Sequence, residues 1–387
     1  MVRNRIVLAL LTVGLLAAPV SLRAQTPAAG KVTQLLRELS DAPGPSGFEG
    51  PVRGILRREF QADGLEISTD GLGSIIGVLR GSSPRPRIML AAHMDEVGAI
   101  VRYITPQGMV KFQLLGGWRD QALVDQRWTI LTAKGPVLAV SGLMSGHITP
   151  PSERMKVIPH DDVFLDVGAK SQAQAEALGI RPGDGIAPVS SFQALAYGRY
   201  VGKALDDRLG CLMMIEMLRQ LKAEHIQLPN TIYFVGTVQE EIGSRGAETA
   251  VQIVKPDIGI SLEAGVASDF PGASMDRAQE RLGFGPAINL ADRGTIANLK
   301  LRDFFLQIAH ANNLPLQTQV MNGGFNDSEM LQRYDGGRPA INFAIPVRYL
   351  HAHNSVFDRS DLEHAVQLLM KILPQLNAST VAHISSF

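Results

Sequence analysis

The stretch Thr231-Ile-Tyr-Phe-Val-Gly-Thr-Val-Gln-Glu-Glu-Ile-Gly-Ser-Arg-Gly246 constrains this chain more than any other. An apolar, β-branched run ends at Val238 and meets two adjacent carboxylates, Glu240 and Glu241, before Gly243 and Gly246 turn the chain. Such a run predicts a strand buried on both faces, the kind found in sheets covered by helices. Open α/β sheets carry their chemistry in the crevice outside the carboxyl ends of the strands. The expectation is therefore an α/β fold with a site at the end of this strand. Taken alone, two glutamates leaving a strand read as a solvated pair. Potential ligands at comparable positions elsewhere change that reading.

Ile88-Met-Leu-Ala-Ala92 reads as a second buried strand, running into His93-Met-Asp-Glu96. Asp257 to Leu262 is a third, ending at Glu263, and Ala340 to Ile345 a fourth, with His351 and His353 beyond it. Asp206-Asp207 opens a helix, Arg208 to Lys222, that is apolar almost all round and hence buried. Further helices are predicted over Val32–Leu39, Pro51–Phe60, Arg302–Asn312 and Ser360–Leu373. In the last of these, Ser360 and Glu363 have the spacing of a capping box. Leu65 to Leu79 reads as a strand pair broken at Asp70-Gly-Leu-Gly73.

Between residues 97 and 199 the character changes. Short β-type runs (Val101–Ile104, Trp128–Ala133, Val137–Val140, Val163–Val167) alternate with Gly/Pro turns, and only Ser171–Leu178 looks helical. This predicts a small β-rich domain, residues 97–199, inserted into a catalytic α/β domain made of residues 25–96 and 200–387. Residues 1–24 read as a secretory signal peptide: Arg3 and Arg5, an apolar core from Ile6 to Ala18, then Leu22-Arg23-Ala24. The expected localisation is accordingly periplasmic or secreted, with no membrane association after cleavage. Lys+Arg and Asp+Glu both number 37, so nothing in the charge suggests a nucleic-acid or anionic-membrane partner. Cys211 is the only cysteine, which rules out an intrachain disulfide and fits a small core residue.

His93, Asp206, Glu241, Glu263 and His351 all stand at strand ends or a helix start. Two imidazoles and three carboxylates form an N/O set that suits zinc, cobalt or manganese. Two divalent ions against three carboxylates leave one positive charge, which a shared hydroxide would cancel. Such a site lowers the pKa of a bridging water to about 7. Glu240 is then free to act as general base, passing the water's proton to the leaving amine. Asp95 could orient the His93 ring. Each residue also has a plainer reading: a structural histidine at 93, a helix cap at Asp206-Asp207, and His353 in competition with His351.

Four motifs carry a family resemblance: Ala92-His-Met-Asp-Glu-Val-Gly98, Gly202-Lys-Ala-Leu-Asp-Asp-Arg-Leu-Gly210, Thr237-Val-Gln-Glu-Glu-Ile-Gly243 and Arg348-Tyr-Leu-His351. With Leu115-Gly-Gly-Trp118, Arg181-Pro-Gly-Asp184 and Phe284-Gly-Pro-Ala-Ile288, they resemble the M42 metallo-aminopeptidases over nearly all of the expected mature chain. The resemblance implies a mixed-sheet exopeptidase domain holding two divalent ions, usually zinc or cobalt. It also implies a small β-barrel-like insert used in homo-oligomer assembly, and peptide substrates cut from the N-terminus. Residue by residue, it implies that Asp206 bridges the ions, with Asp207 behind it across a cis peptide. His93 and Glu263 would hold one ion and Glu241 and His351 the other, with Glu240 as base and Asp95 behind His93. The family usually has aspartate where this chain has Glu263. That departure motivates the alternative, a metal-dependent carboxypeptidase or N-acyl amino acid deacylase, which an arginine in the site would support. A glycosidase using Glu240 and Glu241 is disfavoured, because neighbours on a strand point to opposite faces and the chain has only two tryptophans.

Overall fold

The computed structural model describes residues 27–386, so the expected signal peptide, residues 1–24, lies outside the described residues. Helices α1 (Pro27–Asp41) and α2 (Gly50–Ala62) lead into strands β1 (Glu66–Thr69), β2 (Ile75–Leu79) and β3 (Arg87–His93). Strands β4 (Gly98–Ile104), β5 (Val110–Leu115), β6 (Gln126–Thr132) and β7 (Gly135–Ser141) precede the short helix α3 (Gln172–Ala177) and strand β8 (Gly185–Pro188). Next come β9 (Gln193–Ala194), β10 (Arg199–Gly202), α4 (Leu205–Ala223), β11 (Thr231–Thr237), α5 (Arg245–Val254), β12 (Ile258–Val266) and β13 (Ala287–Ala291). The chain closes with α6 (Leu299–Ala311), β14 (Gln317–Val320), α7 (Ser328–Arg333), β15 (Ala340–Arg348), β16 (Ser355–Asp358), α8 (Arg359–Ile372) and α9 (Ala378–Ser385). Among the described residues no helix is long and apolar enough to cross a membrane.

The fold is mixed α/β with two sheets. The larger runs β1-β2-β11-β3-β12-β15-β16-β10-β9, with β13 and β14 branching from β15. Its four central strands, β11, β3, β12 and β15, are mutually parallel. They are buried almost throughout, because helices cover both faces, as their unbroken apolar sequences require. The main core lies under α4 and α8; a smaller one on the other face joins Met89, Val235 and Leu331. α4 is buried on nearly every side, as its composition predicts. Asp206 and Asp207 have non-helical backbone angles, so regular helix begins at Arg208.

The second sheet, β5-β4-β8-β6-β7, is antiparallel and has its own core around Trp128, Ile130 and Val101. The chain leaves the large sheet after β3, builds this sheet, and rejoins the large one at β9 and β10. Val163–Val167, expected as a strand, forms only isolated bridges: Leu165 to Val110 and Asp166 to Val140. The reason is geometric. The segment links β5 and β7, the two edges of the sheet, and so pairs with each at one residue only. β5 and β8 have no counterpart among the expected strands, since their short runs sit among glycines and prolines. The capping box at Ser360 is also corrected: α8 begins one residue earlier, Asp358 accepts from the Ser360 N–H at 3.0 Å, and Glu363 pairs instead with Arg359.

Candidate metal centre and active site

Strand register brings the predicted ligands together. Thr237 is paired with His93, and Ser261 with Ala91, so Glu263 lies level with His93 across the β3–β12 pair. Glu263 is inside β12 rather than at its end, because that strand continues to Val266 alongside β15. β11 stops at Thr237, and a left-handed residue, Gln239 (φ 56°), turns the chain. Glu240 and Glu241 are therefore not alternating strand residues: both line the same cavity. The opposite-faces objection to a paired-carboxylate chemistry rested on an assumed strand and fails. The Asp206–Asp207 peptide, at the start of α4, is cis.

The cavity has a volume of about 330 Å³ and is lined by His93, Asp206, Glu240, Glu241, Glu263 and His351 among others. Asp206 stands between two histidine–glutamate pairs. Its Oδ1 is 3.0 Å from His93 Nε2, which is 3.6 Å from Glu263 Oε2. Its Oδ2 is 3.4 Å from His351 Nε2, which is 3.5 Å from Glu241 Oε2. Ligand atoms of His93, Asp206 and Glu241, and of His93, Asp207 and Glu263, lie within 4.8 Å of one another. Glu240 Oε2 is 3.9 Å from His93 Nε2.

These carboxylates are buried, and burial raises their proton affinity. It pushes Glu240 and Glu263 well above the ordinary range and Glu241 to about 7, against the opposing pull of the histidines. Burial also opposes ionisation of Asp206, but hydrogen bonds from His351 and His93 outweigh it and hold that group low. The histidines respond in kind: burial depresses both, while Asp206 and the neighbouring carboxylates raise His351 to about 10 and His93 well above its usual value. Glu241 Oε1 and Asp207 Oδ2 are buried with no hydrogen-bond partner. So much buried negative charge, with oxygens left unpaired, fits divalent cations, and the donor set is the kind that binds them. Among the described residues, the one Lys or Arg side chain lining the cavity is Arg119, which is exposed.

The surrounding residues fix this geometry. His93 Nδ1 meets the Asp95 carbonyl at 3.0 Å, with the Asp95 carboxylate farther off at 3.6 Å. That carboxylate accepts from Ser46 Oγ (2.6 Å), Glu240 N (3.0 Å) and Glu241 N (3.2 Å), so it holds the main chain that carries both glutamates. Glu49 accepts from Gln239 N at 3.1 Å and secures the same turn. His351 Nδ1 donates to Gly117 O at 2.7 Å, which presents Nε2 to Asp206. Behind the site, buried Glu96 takes Lys203 Nζ at 2.7 and 2.8 Å and Gly44 N at 3.0 Å. Gly210 packs against Asp207 so closely that a Cβ would lie 2.3 Å from its Oδ2. His353 is not part of this arrangement. It is buried against Trp118 and Trp128, and burial pulls it down to about 4.

Several residues at the site are not visible in the sequence. Ser46 and Glu49 act through long-range bonds that no spacing reveals. Asn289 and Asn342, opposite one another on β13 and β15, line the cavity and carry buried carboxamide oxygens without partners. The signal that could have found them is a polar residue inside an apolar strand.

The family model described as M42 glutamyl aminopeptidase matches residues 73–368. The putative aminopeptidase FrvX of Escherichia coli is 36% identical over 355 residues, 92% of this chain and 98% of that protein. Among solved structures, a TET aminopeptidase from a marine sediment archaeon of the Thaumarchaeota superposes with a TM-score of 0.89 at 38% identity, covering 92% of this chain and 100% of that one. The TET1 peptidase of Pyrococcus horikoshii, which can assemble into a tetrahedron or a large octahedral shell, superposes with a TM-score of 0.81 at 29% identity, covering 89% and 100%. The expected periplasmic or secreted localisation is corrected by these relatives, since FrvX and the TET aminopeptidases are cytosolic. That expectation rested on the composition of residues 1–24 alone.

Proposed function

The chain belongs to the M42 glutamyl aminopeptidase family and is an aminopeptidase, a hydrolase acting on peptides; from that premise we propose that it holds two divalent ions, zinc or cobalt, and releases N-terminal residues with Glu240 as general base. His93 and Glu263 would hold one ion and Glu241 and His351 the other, with Asp206 placed to be shared between them. The observation that carries this reading is the position of Asp206, whose two oxygens each face a different histidine–glutamate pair. When bound, such ions neutralise the buried carboxylates, polarise the scissile carbonyl and acidify water. Glu240, buried beside the cavity and not needed as a ligand, receives the proton of the attacking water and hands it to the departing amine. Asp95 positions both glutamates through their amides. Asn289 and Asn342 supply polar contacts to the residue being removed.

Residues 97–199 form an inserted, barrel-like domain that serves assembly into a homo-oligomer, with residues 25–96 and 200–387 as the two parts of the catalytic domain. In support, the Val163–Val167 segment joins the two edges of the small sheet. Leu138, Met144, Ile148 and Met155 of the same region expose apolar side chains, as interaction surfaces do. The Pyrococcus TET1 relative can assemble into a tetrahedron or a large octahedral shell.

Arg119 favours one second reading. An exposed guanidinium lining the cavity could engage a substrate carboxylate, as a carboxypeptidase or N-acyl amino acid deacylase requires. Hydrolysis of one peptide, free and N-acetylated, with and without chelator, decides between them. Cleavage of the free peptide only, lost with chelator and restored by Zn²⁺ or Co²⁺, supports the aminopeptidase mechanism. Turnover of the blocked peptide transfers the reading to the deacylase or carboxypeptidase.

A further inference from the structure

The segment that follows β5 forms part of the cavity wall through Gly117 and Arg119. Its main chain is pinned on both sides of Arg119. Gly117 O accepts from His351 Nδ1 at 2.7 Å, and Arg119 O accepts from Ala122 N at 2.9 Å. Between them, Trp118 Nε1 donates to Gly98 O at 3.1 Å, and its ring packs on Trp128 and His353 with centroids 5.3 and 5.5 Å away. The guanidinium on this fixed backbone is exposed and has no hydrogen bond or ion pair among the described residues. The nearby acids are engaged elsewhere. Asp120, next in sequence, pairs with His160 at 3.1 Å. Asp292, which also lines the cavity, accepts from Gly294 N, Thr295 N and Asn326 Nδ2 at 2.8, 2.7 and 2.9 Å. The other cavity acids crowd around Asp206, where divalent ions would offset them. Arg119 is thus a cation held at a cavity without a protein partner, and its planar fork matches a carboxylate.

We propose that Arg119 binds a carboxylate on the departing part of the peptide, one or two residues beyond the cut. Asn289 and Asn342, at 4% and 3% exposure, lie deep enough to enclose the residue being removed. The rest of the peptide must lead out to solvent, and Arg119 is the exposed charged group on that path. A space of about 330 Å³ is on the order of 9 Å across, which an extended peptide crosses in roughly two or three residues. The carboxylate therefore belongs either to the C-terminus of a short peptide or to an acidic side chain just after the first residue. In both cases Arg119 acts on binding, and it takes no part in the proton transfers.

This inference rests on the aminopeptidase reading, and the test separates the two. Wild type, Arg119→Ala, Arg119→Lys and Arg119→Glu, loaded with metal, are assayed on Leu-Gly-Gly, its C-terminal amide, Leu-Glu-Gly amide and Glu-Gly-Gly amide, with Tm and metal content measured beside kcat and KM. In the wild type, kcat/KM for Leu-Gly-Gly, for Leu-Glu-Gly amide or for both should exceed that for Leu-Gly-Gly amide by about three- to tenfold, the scale of a partly exposed guanidinium–carboxylate pair. The first result identifies the C-terminus as the source, the second an acidic side chain. The advantage should lie in KM and shrink with added salt. It should vanish in Arg119→Ala, invert in Arg119→Glu and persist in part in Arg119→Lys, which keeps the charge without the fork. No advantage in the wild type, an advantage that survives Arg119→Ala, or one lost only together with Tm or metal overturns the assignment. So does an Arg119-dependent advantage confined to Glu-Gly-Gly amide, which would place the guanidinium against the residue removed. If the wild type leaves all four free-amine peptides uncut, or cuts their N-acetylated forms, the aminopeptidase reading fails and the assignment with it. If it cuts only free-amine peptides, with the same ranking in Arg119→Ala, the assignment alone fails.

Discussion

Replacing Glu280 by glutamine should make the fold less sensitive to alkaline pH. Glu280 is fully buried; Gln319 Nε2 donates to its Oε1 at 2.8 Å, and its Oε2 has no partner. Oε2 sits where a side chain on Gly265 would begin, 1.8 Å from the position of a Cβ. Burial, and then the nearby charge of Asp361, push this carboxyl from 4.5 up to about 8. The folded protein therefore holds the proton more tightly than the unfolded chain. The stabilisation is complete below about pH 4.5 and is lost as pH rises through about 8. Between pH 6 and pH 9 this linkage amounts to a loss on the order of 3 kcal/mol. For a chain of this size that corresponds to roughly 4 °C in Tm. Asp361, itself pushed up by burial to about 7, titrates in both proteins and cancels to first order. The assay is the thermal midpoint of wild type and Glu280→Gln at both pH values with metal in excess. The wild type should lose about 4 °C more than the variant. Parallel shifts would show that Glu280 ionises freely in the folded state and that its burial has been misjudged.

His351→Ala should leave one tightly held ion of two, read by metal analysis after desalting, whereas His353→Ala should keep both and lower Tm; the reverse pattern would make His353 the ligand. Asn289→Leu and Asn342→Leu should shift the preferred N-terminal residue from polar towards aliphatic, measured as kcat/KM over a series of free-amine substrates. An unchanged ranking would remove both asparagines from substrate recognition. Met144→Glu with Ile148→Glu should reduce the oligomer in light scattering while leaving Tm near wild type; an unaltered mass would move the interface elsewhere.

The parallel centre of the fold is legible because strands buried on both faces have unbroken apolar sequences, and each runs into a charged residue. No alternation of polar and apolar residues is needed for that: Arg87–His93 and Thr231–Thr237 stand out by composition alone. What escapes is everything set by pairing partners. Gly185–Pro188 is four residues long and is a strand only because β4 and β6 flank it. The site divides in the same way. The imidazoles and carboxylates that meet around Asp206 can be named from the sequence, since such a group beside an apolar strand is conspicuous. Ser46 and Glu49 cannot, because a hydroxyl or carboxylate whose partner is supplied by the fold has no local signature. Glu363 misleads for a related reason: capping depends on which residue begins the helix, and α8 begins one residue before the expected position.

The tie between the Asp95 carboxylate and the amides of Glu240 and Glu241 spans 145 and 146 residues, and His351 reaches Asp206 from still later in the chain. A ribosome makes these parts in order, so a nascent chain that has not passed His351 lacks part of the donor set, and one that has not passed Glu241 has nothing for Asp95 to hold. Cutting power is thus the last property the molecule acquires. A peptidase assembled from such distant pieces is inert towards its neighbours for most of its own synthesis.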